Sequence, residues 1–153
     1  MSRPRKTRTI EGPPYCKSFK PQGIPTRYIN TIVITVEEYE CVRLADYNNL
    51  EHQDASSKLG ISRSVFTRML QNARNKIAKA IIDGCELLIE GGEFDFENNR
   101  IRCLACYNTY QAPINEVSLT VCPNCSSDKL QNLNGQYAQR VVRGGRRHRG
   151  GRG

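Results

Sequence analysis

The stretch EHQDASSKLGISRSVFTRMLQ, residues 51–71, decides the fold of this chain. Gly60 stands between two helical patterns, and glycine readily adopts the positive φ that a tight turn between helices needs. Ser62 follows two residues later and is a favoured N-cap for the next helix. The stretch therefore predicts a helix-turn-helix, with one helix over about 51–59 and the next over about 62–83.

The second of these helices combines an apolar face with a basic one. Apolar residues recur at helical spacing, as expected of a face that packs on a core: Phe66, Leu70, Ala73 and Ile77. From Ser62 to Lys79 the chain carries five bases and no acid. In a helix-turn-helix the start of this helix enters the major groove, where Arg suits guanine and Gln suits adenine. We therefore expect eight residues to contact DNA: Ser62, Arg63, Ser64, Thr67, Arg68, Gln71, Arg74 and Lys76. The alternative is an ordinary three-helix bundle with a polar outer face.

A capping box predicts a further helix upstream. Thr35 can accept a hydrogen bond from the amide three residues later, and Glu38 can reach back to the Thr35 amide. We expect this helix to run to about Tyr47 and to bury Tyr39, Val42 and either Leu44 or Ala45. Three short segments around the helices are rich in β-branched or aromatic residues and favour strands: Tyr28–Thr35, Leu87–Ile89 and Phe94–Phe96. For Tyr28–Thr35 the alternative is an extended lead-in to the helix.

The expected fold is therefore mainly α, with four segments along the chain. Residues 1–28 are interpreted as an extended basic arm, because they are rich in proline and lack periodicity. Residues 29–92 form a three-helix helix-turn-helix domain. A small β-rich zinc ribbon occupies residues 93–139. Residues 140–153 contain little besides Arg and Gly and are expected to be a disordered tail.

The net charge of +8 is concentrated at the two ends of the chain. Residues 1–28 carry seven bases and one acid, and residues 140–153 carry six bases and no acid. The residues between these two segments are therefore net acidic. Clustered positive charge favours binding to a polyanion, although solubility alone is the alternative explanation.

Four cysteines have the spacing of a metal site. Cys103 and Cys106 form one C-x2-C pair, Cys122 and Cys125 form another, and fifteen residues separate the pairs. Four thiolates complete a closed tetrahedral shell, so we expect one structural zinc ion. An iron centre and a redox dithiol are the alternatives. The second pair, Cys122-Pro-Asn-Cys125, also resembles the zinc ribbon of hydrogenase nickel-insertion chaperones.

The rest of the chain offers no catalytic constellation. His52 and His148 are too scattered for a metal or catalytic role, and no nucleophile stands in a recognisable pattern beside a base. Cys41 is expected to be a small core residue, whereas Cys16 and Cys85 have no recognisable partner. We expect no enzymatic activity. No apolar run is long enough for a membrane span or a secretory signal, so we expect a cytoplasmic protein without membrane contact.

Six short motifs within residues 2–92 belong together: Ser2–Lys6, Phe19–Gly23, Glu40–Asp46, Gly60–Arg63, Ala73–Ala78 and Glu90–Gly92. They resemble an uncharacterised prokaryotic family of small proteins, predicted to bind DNA through a helix-turn-helix similar to region 4 of sigma factors. The resemblance implies a DNA-binding fold. One departure is the start of the second helix. There the family usually has Ser or Thr followed by Gln, and this chain has Glu51-His52.

Three functions follow from these patterns. The first is a transcription regulator that binds double-stranded DNA, with the ribbon as a structural part. The second is an RNA-binding or ribosome-associated protein that uses the ribbon and the tail Arg140–Gly153, because such Arg/Gly segments bind RNA by charge and stacking. The third is an adaptor that docks on RNA polymerase. The long third helix also suggests a homodimer.

Overall fold

The computed structural model describes residues 8–114 and 120–137. These residues form two compact units. Unit 1 holds residues 8–10 and Cys16–Phe94, and unit 2 holds Glu11–Tyr15 and the described residues from Asp95 onward. The predicted Arg/Gly tail, residues 140–153, lies outside the described residues. In the described ranges, no helix combines the length and the apolar character that a membrane crossing requires.

The helices of unit 1 begin and end at the residues that the capping patterns indicate. They are α1 over Val36–Val42, which continues as a π-helical turn over Arg43–Tyr47, α2 over His52–Leu59, and α3 over Arg63–Asp83. Thr35 Oγ1 accepts a hydrogen bond from the amide of Glu38 at 3.1 Å, and Ser62 Oγ accepts one from Val65 at 3.3 Å. Gly60, at φ +76°, ends α2 in the left-handed conformation that favours glycine. The two predicted helices around Gly60 and the turn that joins them are thus present.

Unit 1 also contains a three-stranded sheet. The first four strands of the chain are β1 over Arg8–Ile10, β2 over Ser18–Phe19, β3 over Thr31–Ile34 and β4 over Glu86–Ile89. Of these, β2, β3 and β4 form the three-stranded sheet. Strand β4 lies in the middle of the sheet, antiparallel to β2 and parallel to β3. Parallel strands need a long crossover connection, and the three helices between β3 and β4 supply it.

The expectation of a mainly α fold is wrong. The described residues contain three sheets: the one just given, a pair of β1 with β5 (Phe94–Phe96), and a third in unit 2. Residues 8–28, interpreted from sequence as an arm, contribute two strands and a 3₁₀ turn over Thr26–Tyr28. The strands β1 to β5 have only two to four residues each, so they are too short to show an alternating pattern in the sequence. Their pairing with residues far along the chain is what forms the sheet, so the fold is a mixture of helices and sheets.

The core of unit 1 forms around α3, which contacts α1, α2, β3 and β4. Phe66, Leu70 and Ala73 on α3 are fully buried, as their spacing predicts. The first helix buries only part of the face predicted for it: Leu44, in the π-helical turn, is buried as predicted. Tyr39 and Val42 are only half-buried, while α1 buries Cys41 and three glutamates.

Each of these three glutamates has a basic partner. Glu37 binds Arg8 and also accepts a hydrogen bond from the amide of Glu93 at 2.7 Å. Glu38 binds Lys76, and Glu40 binds Arg43 through two hydrogen bonds of 2.9 Å and 2.6 Å. A buried carboxylate without a partner would be costly, so these pairs determine which face of α1 can be buried.

Unit 2 is a three-stranded antiparallel sheet with a short segment packed on it. Its strands are β6 over Asn98–Cys103, β7 over Thr109–Pro113 and β8 over Leu130–Asn132, in the order β7-β6-β8. From the segment Glu11–Tyr15, the aromatic ring of Tyr15 stacks under the guanidinium of Arg100 at 4.0 Å. Pro13 and Pro14 are fully buried. The segment is therefore part of the core of this unit.

Candidate nucleic-acid interface and metal centre

The turn between α2 and α3 determines where α3 begins. The amide of Ile61 donates to the carbonyl of Ser56 at 3.1 Å, and the amide of Gly60 donates to the carbonyl of Ser57 at 3.2 Å. These two bonds form a Schellman motif, which closes a helix tightly. Ser62 then caps α3 in extended backbone conformation, at φ −72° and ψ 155°. The first turns of α3 thus start directly after a hydrogen-bonded turn.

The N-terminal half of α3 presents to solvent a shallow groove of about 680 Å³, which is lined by polar and charged residues. Its lining contains two bases and no acid: Arg63, Ser64, Thr67, Arg68, Gln71 and Asn72. These residues are three or four positions apart or adjacent, so they share one side of the helix. Arg63 and Arg68 are exposed and form no ion pair with any described residue. We call this surface the α3 groove.

The two remaining predicted basic contacts are engaged with carboxylates. Arg74 binds Asp46 through bonds of 3.1 Å and 2.5 Å, and the hydrogen bond from Arg74 holds the pKa of Asp46 below its usual value. Lys76 binds Glu38 at 2.9 Å and 3.0 Å. Neither residue lines the α3 groove. The structure thus brings together Arg63, Ser64, Thr67, Arg68 and Gln71, with Ser62 as the cap beside them.

Sequence reasoning missed two residues at this surface. Asn72 lines the groove and lies four positions after Arg68, so helical periodicity could have identified it. The imidazole Nδ1 of His52 lies 2.9 Å from the hydroxyl oxygen of Thr67, and its ring packs edge-on against Phe66. No sequence signal connects His52 to a residue fifteen positions away. Its contacts make it part of the packing that holds α2 against α3.

In unit 2 the four predicted cysteines lie at two matching turns. The amide of Tyr107 donates to the carbonyl of Cys103 at 2.9 Å, and the amide of Ser126 donates to the carbonyl of Cys122 at 2.8 Å. Tyr107 and Ser126 both have positive φ, at 61° and 62°. Each turn directs the backbone amide two residues after its first cysteine to that cysteine's sulfur, at 3.4 Å. The two C-x2-C segments therefore have the same local structure.

The two turns bring all four sulfurs together. The Sγ atoms of Cys103, Cys106, Cys122 and Cys125 lie within 4.8 Å of one another. Cys103 Sγ is 3.6 Å from Cys125 Sγ, and Cys106 Sγ is 3.7 Å from Cys122 Sγ. Four thiolates at about 2.3 Å from a tetrahedral zinc ion would lie about 3.8 Å apart. The four cysteines are arranged to bind a metal ion, and their spacing is compatible with zinc.

The electrostatics of the cluster also favour a cation. Burial raises the pKa of Cys122, but hydrogen bonds from the Tyr110 hydroxyl and from the amides of Cys125 and Asn124 lower it to about 6. The hydroxyl of Tyr110 lies 3.0 Å from Cys122 Sγ. At Cys125 the amide of Ser127 lowers the pKa, but burial and the neighbouring sulfurs raise it to about 12. Thiolates this close repel one another, and a bound cation would remove that repulsion.

The other cysteines lie apart from this cluster. Cys41 is fully buried on α1, as expected of a core residue. Burial raises the pKa of its thiol to about 12, and the carboxylates of Glu40, Glu37 and Glu38 contribute to the rise. A thiol with so high a pKa is a poor nucleophile. Cys16 is exposed and Cys85 is half-buried.

Comparison with known proteins places the chain in a family. Residues 1–97 match the family described as "Protein of unknown function DUF134". A "UPF0251 protein" of Chloroherpeton thalassium is 44% identical over 133 residues, which cover 87% of each chain. Another, of Desulforudis audaxviator, is 38% identical over 130 residues, 85% of each chain. A third, of Methanothermobacter thermautotrophicus, is 33% identical over 145 residues, 95% of this chain and 75% of the relative. No solved structure matches the chain significantly.

This chain belongs to the DUF134 family, whose members among these relatives carry the name UPF0251 protein. The predicted membership of an uncharacterised prokaryotic family is confirmed to that extent. The names of these relatives state no activity, ligand or partner.

Proposed function

We propose that this member of the DUF134 family is a DNA-binding protein, a regulator of transcription that reads the major groove with the N-terminal half of α3. The α3 groove is the observation that carries the proposal. It offers two exposed guanidinium groups, an amide pair and two hydroxyls on one side of a helix, with no acid among them. These are the donors and acceptors that base edges and phosphates require.

The position of the groove supports the same function. A helix-turn-helix protein inserts the first turns of its second helix into the major groove, and a major groove about 12 Å wide admits one helix. Here those turns follow directly on the Gly60–Ser62 turn, and their polar side is exposed. The buried side, with Phe66 and Leu70, holds the helix on the rest of unit 1. Such a helix can be inserted without any change in its packing.

We narrow the proposed interface to the residues of the groove and its cap. Arg74 and Lys76 would have to give up their carboxylate partners before they could neutralise a phosphate. Arg63 and Arg68 have no such cost within the described residues. We therefore assign base recognition to Arg63, Arg68, Gln71 and Asn72, and phosphate contacts to Ser62, Ser64 and Thr67.

The metal of unit 2 is proposed to be one zinc ion with a structural role. A shell of four cysteines is closed and leaves no open position for a substrate. The sheet of unit 2 has three short strands, so metal binding would supply much of its folding free energy. The thiolates would hold the ion, and the Tyr110 hydroxyl would orient one of them.

The test is binding to duplex DNA at physiological salt by the full, metal-loaded chain. Arg63→Ala and Arg68→Ala should each weaken specific binding by about 1–3 kcal/mol if each reads a guanine. Lys129→Ala is the matched control, because Lys129 is an exposed base of unit 2 and should leave binding unchanged. The proposal is wrong if the two α3 variants bind as the wild type does. If deletion of residues 140–153 abolishes binding to RNA, and the two α3 variants still bind RNA as the wild type does, the chain is an RNA-binding protein and not a DNA-binding one.

A further inference from the structure

The outer side of α3 continues beyond the α3 groove as a line of exposed polar residues. Asn75 and Lys79 lie seven and eleven residues after Arg68. At about 3.6 residues per turn these separations are close to whole turns, so the three residues share one side of the helix. All three are exposed, and the side that buries Leu70 and Ala73 is opposite. We call Arg68, Asn75 and Lys79 the outer line of α3.

The outer line is continuous with the α3 groove and carries no acid. Gln71, in the groove, donates a hydrogen bond from Nε2 to Oδ1 of Asn75 at 3.1 Å. Lys79 forms no ion pair with any described residue, in contrast to the two bases of α3 that carboxylates hold. The first acid of α3 is Asp83, its last residue, which marks the end of the surface that suits a polyanion. Within the described chain, α3 thus carries a lysine without a carboxylate partner about three turns beyond its base-reading part.

We propose that α3 docks lengthwise on duplex DNA with its outer line, and that Lys79 binds a phosphate at the edge of the major groove. This inference rests on the proposed function and extends it beyond the α3 groove. Lys79 lies about 16 Å along the helix from Arg68, at about 1.5 Å per residue. The major groove is about 12 Å wide, so a helix that reads a base with Arg68 has reached a phosphate strand at that distance. The recognition helix of homeodomains contacts the DNA backbone through its C-terminal end in this way.

The alternative is that α3 enters the groove with its N-terminal tip first and its axis pointing into the DNA. Lys79 would then be carried away from the duplex, and only the first turns of α3 would need to be free of acids. The acid-free stretch instead runs without a break over residues 62–82. Helix α2 also stands beside the tip, since His52 Nδ1 lies 2.9 Å from the hydroxyl oxygen of Thr67. A tip-first approach would bring this second helix to a groove that admits one, so the lengthwise contact is favoured.

The salt dependence of duplex binding by the full, metal-loaded chain tests the inference. Each neutralised phosphate contributes about −0.9 to the slope of log K against log salt concentration. Lys79→Gln should therefore flatten the slope by about 0.9, so its loss of affinity should shrink about three- to fourfold between about 50 and about 200 mM salt. Its preference for the sequence that the wild type selects over an unrelated duplex should be unchanged, because a phosphate contact reads no base. Lys129→Gln, which removes an exposed base of unit 2, is the matched control and should keep the wild-type slope.

An added charge makes the test independent of folding defects. Asn75→Lys places a second lysine on the outer line and should strengthen binding and steepen the slope by up to about 0.9. A wild-type slope in either variant overturns the inference. If Arg68→Ala loses a base preference while Lys79→Gln keeps the wild-type slope, α3 reads DNA without lying along it, and only this inference fails. If the wild type binds no duplex, or Arg68→Ala binds as the wild type does, the proposed function fails and this inference fails with it.

Discussion

The ammonium of Lys76 on α3 lies 2.9 Å and 3.0 Å from the two carboxylate oxygens of Glu38 on α1. The sequence suggested different roles for both residues: Glu38 as the second half of a capping box, and Lys76 as a DNA contact. The side chain of Glu38 is 11% exposed, so its carboxylate needs a partner inside the fold. Lys76 provides that partner and ties the first helix to the third.

Lys76→Met should therefore affect stability more than DNA binding. It leaves the carboxylate of Glu38 without its cation, and we expect the free energy of unfolding to fall by about 1–2 kcal/mol. Arg68→Met should show the opposite pattern, with weaker DNA binding and almost unchanged stability. Urea unfolding and a DNA titration of both variants check this. Adding Glu38→Gln to Lys76→Met should recover part of the lost stability; if it recovers none, the ion pair does not have this role.

Metal analysis of the purified chain should find one zinc ion per chain. Cys106→Ser should lose the ion, because three remaining thiolates leave the shell incomplete. Cys16→Ser removes an exposed cysteine outside the cluster and should keep one ion per chain. Iron in place of zinc would correct the identity of the metal. Equal metal content in the two variants would contradict the site itself.

Gly60→Ala should destabilise the turn between α2 and α3 through backbone conformation alone. A Cβ at Gly60 meets no atom within 4 Å, but φ of +76° costs an alanine roughly 1 kcal/mol or more. Gly135→Ala is the control, since a Cβ there also meets no atom and its φ is not positive. Thermal unfolding of both variants measures the difference. Equal melting temperatures would show that the left-handed turn is not maintained in solution.

Glu86 should make the stability of unit 1 depend on pH. Its carboxylate accepts hydrogen bonds from Ser18 Oγ at 2.5 Å and Thr31 Oγ1 at 3.0 Å, so it links β4 to both neighbouring strands. The hydrogen bond from Ser18 lowers the pKa of Glu86 most, whereas burial of the carboxylate raises it. The hydrogen bond from Thr31 and the charge of Lys20 lower the pKa further, so that it lies below its usual value. Because the pKa of Glu86 is lower in the folded state, its carboxylate contributes fully to the stability of the fold when the pH is above the ordinary glutamate value of about 4.3. This contribution to stability is lost as the pH falls through the lowered pKa of the folded state.

The difference in unfolding free energy between the wild type and Glu86→Gln should accordingly be large at neutral pH and shrink in acid. Urea unfolding at about pH 7 and about pH 3 measures it, since these values lie on either side of the ordinary carboxylate range. Glu51→Gln replaces an exposed glutamate and should show little difference at either pH. If the difference in unfolding free energy between the wild type and Glu86→Gln grows in acid, the carboxylate of Glu86 does not stabilise the fold in its charged form.

Local signals in the sequence were sufficient for the helices and the cysteine cluster. Thr35, Ser62 and Gly60 act through neighbours within four residues, and the C-x2-C spacing is itself a local geometry. The sheet of unit 1 could not be found in this way. Its strand β2 has only two residues, and its central strand β4 pairs with a strand more than fifty positions earlier. No local pattern encodes that pairing.

The burial of the glutamates on α1 was missed for a related reason. Glu37 is a charged residue that hydropathy places outside, yet it is buried because Arg8 and the amide of Glu93 satisfy its carboxylate. Both partners are distant in sequence. In the candidate interface the same effect separates Lys76 and Arg74, whose acidic partners lie on other elements, from Arg63 and Arg68. Spacing along one helix identified all four bases, but only the tertiary structure distinguished between the two pairs.

Selection of bound sequences from random duplex DNA at physiological salt tests the central claim most directly. The wild-type chain should enrich a defined motif, and Arg68→Ala should enrich a motif that has lost its preference at one base pair, because one guanine contact is gone. The control Lys129→Ala should enrich the wild-type motif. A wild-type chain that enriches no sequence, or an Arg68→Ala chain that enriches the unchanged motif, would contradict the claim that α3 reads DNA.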